Sequence, residues 1–444
     1  MMRSLCGWGR YPVISAEWEA ASTLRDVQVA ASTSQGLILR GNGRAYGDAA
    51  IGLTKTLGMT GLDRMISFDP ATGLLRAEAG VMLADIIAAY LPRGYFPFVV
   101  PGTRYVTIGG AIAADVHGKN HHKEGSFGRH VVSLSVVTPS GAVVVASRES
   151  NQELFFNTIG GMGLTGAIVE ATLCLRPVET GWVRQQTLVA GNLAEAIAIL
   201  DRTRESTYSV AWIDCVAKGA QLGRSLVFLG EHAGREDLRG EVSRSPFPPI
   251  ASSRVGVPFA FPPYALNRYS VGAFNEAYFR NGKRKAGEAF LTSVIPFFFP
   301  LDSIDNWNRI YGSRGFIQHQ CVLPPATAAA ALTEMLDRIV RRGDASFLAV
   351  LKKLGGSEGV LSFPMEGFTL ALDFPMSAGL LEFLAELDRV VVKAGGRLYL
   401  AKDACQLRST FDAGYPAASG FRAFRRERDL AGNFASHLSN RLGL

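Results

Sequence analysis

Gly160-Gly-Met-Gly-Leu-Thr-Gly-Ala-Ile-Val-Glu-Ala-Thr-Leu-Cys-Leu-Arg176 contains a formal G-x-G-x-x-G at Gly161–Gly166, and what flanks it decides the fold. Such a motif grips a dinucleotide only where it follows a strand and opens a helix, so that the pyrophosphate meets the helix N-terminus. Here it precedes Ala167–Leu175, a β-branched, alternating run that reads as a strand. The context argues against a doubly wound nicotinamide fold. Upstream, from Gly36, short β-type runs at Leu37–Leu39, Leu74–Ala79, Val131–Val137 and Ala142–Ala146 alternate with glycine turns and an amphipathic helix at Leu83–Leu91. Downstream of Arg176-Pro177 the pattern predicts a helix over Leu193–Arg202, a strand over Ser209–Cys215 and a Pro-rich, structure-poor stretch over Ser245–Tyr269. Beyond these come a strand at Phe316–Leu323, a helix at Ala326–Arg342, and strands at Phe347–Leu351 and Phe368–Phe374. A last helix is opened by Ser377 and ended by Gly395-Gly396, with Leu380, Leu384, Leu387 and Val391 at helical spacing. The reading is α+β in two domains, with a boundary near Arg176–Glu179.

The composition agrees. A chain of 444 residues with 48% hydrophobic and 19% charged side chains is globular, which excludes disorder as a global description. The 48 glycines are roughly 11% of the chain against a usual ~7%, without a Gly-X-Y period, and so point to loops that approach a ligand closely. Five cysteines, odd in number and without a C-x-x-C pair, suggest neither a disulfide framework nor a cysteine zinc site and fit a reducing compartment. The N-terminus lacks an apolar signal core. The most apolar stretches, Gly80–Leu91 and Phe290–Leu301, fall short of the ~18–20 residues of a membrane span. The expectation is a cytoplasmic protein. A net charge of +7 permits an anionic partner, whether nucleic acid, anionic lipid or phosphorylated ligand, but no run of five basic residues favours nucleic acid.

Three glycine clusters could carry chemistry: Arg40–Asp48, Pro101–Gly110 running on to His117–His122, and Gly160–Gly166. Backbone N–H groups in glycine turns can form nests for a pyrophosphate, because no Cβ holds the anion away. Singly, each cluster could merely serve a tight turn. Jointly, they point to one large phosphorylated cofactor. His117, His121 and His122, with Asp115 nearby, raise a metal site, but Gly118 and Asn120 disfavour the helix that would align the ligands. His117 and Lys119 are better read as polar groups facing a cofactor or substrate. Arg397-Leu-Tyr-Leu-Ala-Lys-Asp403 looks like a short strand ending in a lysine. By pattern alone a solvated Lys–Asp pair is the simpler reading, whereas a desolvated Lys402 would have a lowered pKa and could accept a proton.

Taken together, seven segments resemble the vanillyl-alcohol-oxidase-type FAD flavoproteins, and within them the branch that oxidises polyprenylphosphoryl ribose, over nearly the whole chain. They are GWGR (Gly7–Arg10), RGNGRAYGD (Arg40–Asp48), PGTRYVTIGGAIAADVHGKNHHKEGSFG (Pro101–Gly128), LFFNTIGGMGLTG (Leu154–Gly166), SVAWIDC (Ser209–Cys215), GRLYLAKD (Gly396–Asp403) and FRRERDLAGNFASHLSNRL (Phe424–Leu442). The resemblance implies an FAD-binding domain built from residues 1–178 and 397–444, with an antiparallel-sheet substrate domain, 179–396, inserted between them. It implies FAD contacts from Arg40, Gly41, Asn42, Gly43, Arg44, Ala45 and Tyr46, and from Pro101, Gly102, Thr103, Thr107, Gly109, Gly110, Ala113, His117, Gly118, Asn120 and Gly125, with Ile168 and Tyr399. Relatives often tether the flavin through a histidine where this chain has Arg44, so noncovalent FAD is expected.

The implied reaction is oxidation of a ribofuranosyl 2-hydroxyl to a ketone, with hydride passing to the flavin. Lys402 is then the preferred base, with His117 beside it, and Tyr46, Trp212, Tyr311, Gln318, Gln320, Lys352 and Thr369 would line the sugar. A separate NADH-dependent short-chain reductase would complete the epimerisation to arabinose for the cell envelope. The segment Ser245–Tyr269 would lie at the mouth, with basic residues at the inner face of the plasma membrane and no role for nucleic acid. Relatives carry an Asn and a Cys where Thr369 and Ala371 stand, so a flavin oxidase acting on a nucleotide-linked or free sugar remains the alternative. A Rossmann dehydrogenase and a non-enzymatic basic binding protein are the other classes that the chain must be weighed against.

Overall fold

The computed structural model describes the chain except residues 251–254, 263–264, 344–345 and 347. Four strands, β1 (Met2–Cys6), β2 (Val13–Ala20), β3 (Leu37–Arg40) and β4 (Lys55–Gly58), form a mixed sheet in the order β1-β2-β4-β3. The helix Leu24–Thr33 between β2 and β3 opens on a capping box, in which Thr23 accepts from the Asp26 N–H and the Asp26 carboxylate accepts from the Thr23 N–H. A second, antiparallel sheet contains β5 (Met65–Asp69), β6 (Leu74–Glu78), β7 (Tyr95–Pro97), β8 (Val131–Val137), β9 (Val143–Ser147) and β10 (Ala167–Pro177). Its order is β5-β6-β10-β8-β9, with β7 pairing the end of β10. The strand after the G-x-G-x-x-G is thus β10, at the centre of that sheet.

Ten strands follow: β11 (Trp182–Ala190), β12 (Tyr208–Ile213), β13 (Ser225–His232), β14 (Val255–Gly256), β15 (Phe290–Ser293), β16 (Ile304–Asp305), β17 (Phe316–Leu323), β18 (Ala349–Leu354), β19 (Gly367–Pro375) and β20 (Arg397–Leu398). Eight of them make one antiparallel sheet in the order β15-β11-β13-β12-β18-β19-β17-β20, and β14 pairs with β16 in parallel. Side chains alternate between the faces of a strand. On β17, β18 and β19 the odd set Ile317, Cys321, Leu323, Ala349 and Leu351 and the even set Phe368, Leu370, Leu372 and Phe374 pack one face. The helices Leu193–Arg202, Pro325–Arg342 and Leu380–Lys393 cover that face with Leu200, Leu332, Leu336, Leu384 and Val391. The opposite face is left for a cavity.

The helix Leu380–Lys393 begins three residues after Ser377, with Gly379 in the left-handed region as its N-cap, and buries the expected Leu380, Leu384, Leu387 and Val391. Two departures from the sequence reading matter. β20 spans only Arg397–Leu398, because Tyr399 turns away to start the loop that carries Lys402. After the Pro-rich stretch comes a 17-residue helix, Arg268–Arg284, that hydrophobic periodicity does not signal, since it buries only Val271 and Asn275. Phe347, the expected start of β18, lies outside the described residues, as do 251–254 and 263–264 of the Pro-rich stretch. Among the described residues no helix is long and apolar enough to cross a membrane.

Candidate active site

All three glycine loops reach one cavity of about 500 Å³, floored by the free face of the eight-stranded sheet. The first loop supplies Gly41–Tyr46, the second Pro101, Gly102, Thr103, Thr107, Gly109, Gly110, Ala113 and His117–Lys119, and the third Met162, Gly163 and Gly166, followed by Ile168. Thr107 caps the helix Ile108–Ala113 by accepting from the Gly110 N–H. Gly41 lies so close that a Cβ there would stand 2.2 Å from Thr107 Oγ1. A Cβ on Gly102, by contrast, would meet nothing within 4 Å, so its backbone presents a bare edge to the cavity. Arg44 lies over Trp8, 4.0 Å from the ring centroid, and its buried Nε has no hydrogen-bond partner among the described residues.

The polar end of the cavity is built by β17, β19 and the turn after β20. Gln320 Nε2 donates to His117 Nε2 at 3.0 Å and to Thr369 Oγ1 at 3.2 Å. An amide nitrogen only donates, so His117 Nε2 accepts and the ring proton sits on Nδ1. That Nδ1 is buried and has no partner among the described residues. His117 is held well below the usual histidine range, first by burial and then by Lys352. Tyr399 stacks on Phe363 at 4.6 Å and donates its hydroxyl to Ala114 O at 2.9 Å. Lys402 Nζ lies 3.5 Å from the centroid of the Tyr46 ring. Gln318 lines the cavity with Tyr46, and its Nε2 donates to Asp373 Oδ1 at 2.5 Å. The other Asp373 oxygen accepts from the Tyr311 hydroxyl at 2.9 Å. Burial pulls the Lys402 ammonium below the usual lysine range and pushes the Asp373 carboxyl above the carboxylate range, while each charge partly offsets the other's shift. This is an arrangement for holding a hydroxyl and removing its proton.

The residues fit FAD, which the cavity would take along the glycine loops. An orphaned donor at His117 Nδ1, a second at Arg44 Nε and the bare Gly102 backbone are features that a protein without a ligand there would leave unsatisfied. Residues 20–147 match the FAD binding domain family. Over 452 aligned residues, covering 100% of this chain and 98% of the relative, the sequence is 39% identical to a decaprenylphosphoryl-β-D-ribose oxidase of Mycolicibacterium smegmatis. The chain belongs to the decaprenylphosphoryl-β-D-ribose oxidase family. As a member of that family it is an FAD-dependent oxidoreductase with the two-domain α+β architecture of the vanillyl-alcohol-oxidase type. An uncharacterized Streptomyces coelicolor protein is 36% identical across 82% of this chain and 99% of its own length. Cytokinin dehydrogenase 4 of Arabidopsis thaliana is 28% identical over 35% of this chain and 30% of its own length.

Most residues expected at the site reach the cavity, including Tyr46, His117, Trp212, Gln318, Gln320, Lys352, Thr369, Ala371, Tyr399 and Lys402. Four others stand apart from it. Arg40 donates to Cys6 O at 2.7 Å and props the first loop from behind. Asn120 is bonded to Phe98 O and Glu124, and Gly125 ends the short helix His121–Glu124 with φ +76°. Tyr311 touches the site from behind, through its bond to Asp373 and its ring against Trp307. His121 Nδ1 accepts from the Gly355 N–H and His122 bonds Ser206 O, so the three histidines serve separate partners. Sequence reasoning missed Asp373. Its signal was present, since a lone carboxylate inside the apolar strand Gly367-Phe-Thr-Leu-Ala-Leu-Asp-Phe-Pro375 demands buried partners.

Proposed function

We propose that this enzyme oxidises the 2-hydroxyl of a polyprenylphosphoryl ribofuranose to the 2-keto sugar, with Lys402 taking the hydroxyl proton. The observation that carries the reading is Lys402 itself. It stands on the cavity wall beside Gln318 and Tyr46, with no carboxylate at ion-pair distance among the described residues and an ammonium that burial disfavours. Bound FAD supplies the acceptor for the hydride leaving carbon 2. The chain holds the cofactor noncovalently, through Gly41–Tyr46, Pro101–Thr107 and His117, because an arginine, not a histidine, stands at position 44. Gln320 and Thr369 orient the sugar, and Gln318 and Tyr46 fix the approach to Lys402 Nζ. The name of the full-length relative supports the lipid-linked ribose over a nucleotide-linked or free sugar.

The FAD-binding unit combines residues 1–178 with 397–444, a division supported by a core in which Ile38, Met162 and Leu164 pack with Leu400, Phe421, Leu438 and Leu442, joined there by Val322, Leu354, Leu361 and Phe363 of the intervening segment. The 2-keto product needs a hydride donor to become the arabinose epimer, which makes a nicotinamide-dependent reductase the fitting partner. Peripheral contact with an anionic bilayer is supported by exposed Val255, Phe259, Phe261, Tyr269 and Phe274 alongside Arg268, Lys283 and Arg284, next to cavity-lining Tyr278. Anaerobic titration of the purified holoenzyme tests the activity. Farnesylphosphoryl-β-D-ribofuranose is expected to bleach the yellow flavin, and nucleotide sugars and free pentoses are not. Bleaching by a nucleotide sugar alone would sink the proposal.

A further inference from the structure

Read strand by strand, the cavity face of the eight-stranded sheet changes character in one direction. On β17 it presents Gln318 and Gln320, and on β19 Thr369 and Ala371. On β18 it presents Lys352, paired directly with Thr369, and Val350, paired with Ala371. β12 presents Trp212 and Val210, and β13 presents Phe228, paired with Val210. Each step is one interstrand spacing, roughly 4.8 Å. From β17 to β13 the order is polar, then cationic, then apolar, and beyond it Gln185 of β11 also lines the cavity. Lys119 lines the same cavity, close enough to Lys352 to feel its charge: its backbone carbonyl accepts from the Ser209 N–H at the head of β12, and its Nζ donates to Phe298 O at 3.0 Å. The rings of Phe297 and Phe298 lie 5.5 and 5.7 Å from that Nζ.

Neither lysine has a carboxylate partner at ion-pair distance among the described residues, and with Lys402 they bring three amines to one cavity whose described lining holds no carboxylate, Asp373 lying behind Gln318 and acting on Lys402. Burial lowers Lys119 to about 7 and Lys352 to about 8, and Lys352 depresses Lys119 further. Two desolvated amines that disfavour each other's charge are stabilised by an anion placed between them.

We propose that Lys119 and Lys352 form the binding site for the phosphodiester of the substrate, between the sugar held on β17 and β19 and a prenyl chain lying along Trp212, Val210, Phe228 and Tyr278. The site rests on the functional reading above and makes the phosphate a specificity element. The test compares two probes on the holoenzyme, farnesylphosphoryl-β-D-ribofuranose and farnesyl β-D-ribofuranoside, which lacks the phosphate. In the wild type the phosphorylated probe reduces the flavin with the higher kcat/KM. Lys119→Met and Lys352→Met each cut that preference about 10- to 100-fold, chiefly through KM, the scale of one charge-assisted contact. A preference retained in both variants overturns the proposal. Should a variant lose its flavin, competition on the wild type decides: farnesyl phosphate must inhibit at least ~10-fold more tightly than farnesol, and equal inhibition overturns the site. If both ribosides bleach the wild type equally, the oxidase reading stands and the phosphate site falls. If neither does, the oxidase reading has failed first.

Discussion

Lys402 feels burial and two charged neighbours of opposite effect. Burial and Lys352 favour its neutral amine, and Asp373 favours the ammonium. Only the neutral amine accepts a proton, so kcat/KM for anaerobic flavin reduction is expected to rise with pH along a limb lying below the ordinary lysine range near ~10.4. Lys402→Met should remove that limb and slow reduction by at least ~10²-fold with the flavin still bound. Asp373→Asn takes away the charge that supports the ammonium, so the limb should move to lower pH, while the amide keeps a partner for Tyr311. The check is a pair of stopped-flow pH profiles. A limb that stays in place in Asp373→Asn would separate the carboxylate from the base and leave it a purely structural anchor for Gln318 and Tyr311.

Among elements, the contact between the first glycine loop and the Tyr399–Asp403 turn positions the base against the cofactor side. The Tyr46 N–H donates to Ala401 O at 2.9 Å, and a Cβ on Gly47 would stand 2.0 Å from Asp403 O. Both sides of that contact are backbone, so no rotamer relieves it. Gly47→Ala should cost about 1–3 kcal/mol of stability and lower the flavin-to-protein ratio, read from thermal melts and absorbance. Unchanged values of both would show that the two segments can separate freely. The same elements show where the sequence was readable. β10 and the helix Leu380–Lys393 were legible because burial imposes their periods of 2 and 3.6 on the residues, and β17, buried along its whole length, was legible as a short run bounded by Gly315 and Pro324. The helix Arg268–Arg284 was not, because a helix that buries two side chains leaves no apolar stripe. The glycine loops were legible by composition. Arg40, Asn120, Gly125 and Tyr311 were assigned to the site by resemblance, and their actual hydrogen bonds, to Cys6, Phe98, His121 and Asp373, join residues distant in sequence or lie in loop geometry that no spacing encodes.

Over the whole molecule, the groups that build the site also set how stability depends on pH. His117, His121, His130 and His232 are held neutral chiefly by burial, His117 well below its usual range, His121 and His232 at about 3 and His130 at about 4. The unfolded chain protonates the same rings near ~6.5, so below that pH it binds more protons than the folded chain and stability falls as pH falls. Lys119 and Lys352 act in the same sense at higher pH, between their folded values of about 7 and 8 and the unfolded ~10.4. Asp115 has the opposite sign. Burial raises it to about 6 while Ser126, Gly128 and Ser362 hold it by hydrogen bonds, so it favours the fold as pH drops from 6 toward the carboxylate range. Asp373, Asp48 and Asp302 are raised by burial in the same sense as Asp115, but the five lowered histidines, His122 included, outnumber these four carboxyls, each group contributing up to about 1.4 kcal/mol per pH unit within its window. With FAD held saturating, so that linkage to the cofactor is constant, the melting temperature is expected to decline from pH 9 to 6.5 and more steeply from 6.5 to 5. A profile that is flat or rising across pH 6.5 to 5 would mean that the buried histidines do not reach the fold as neutral rings, and with them the assignment of the His117 proton to Nδ1 would fail.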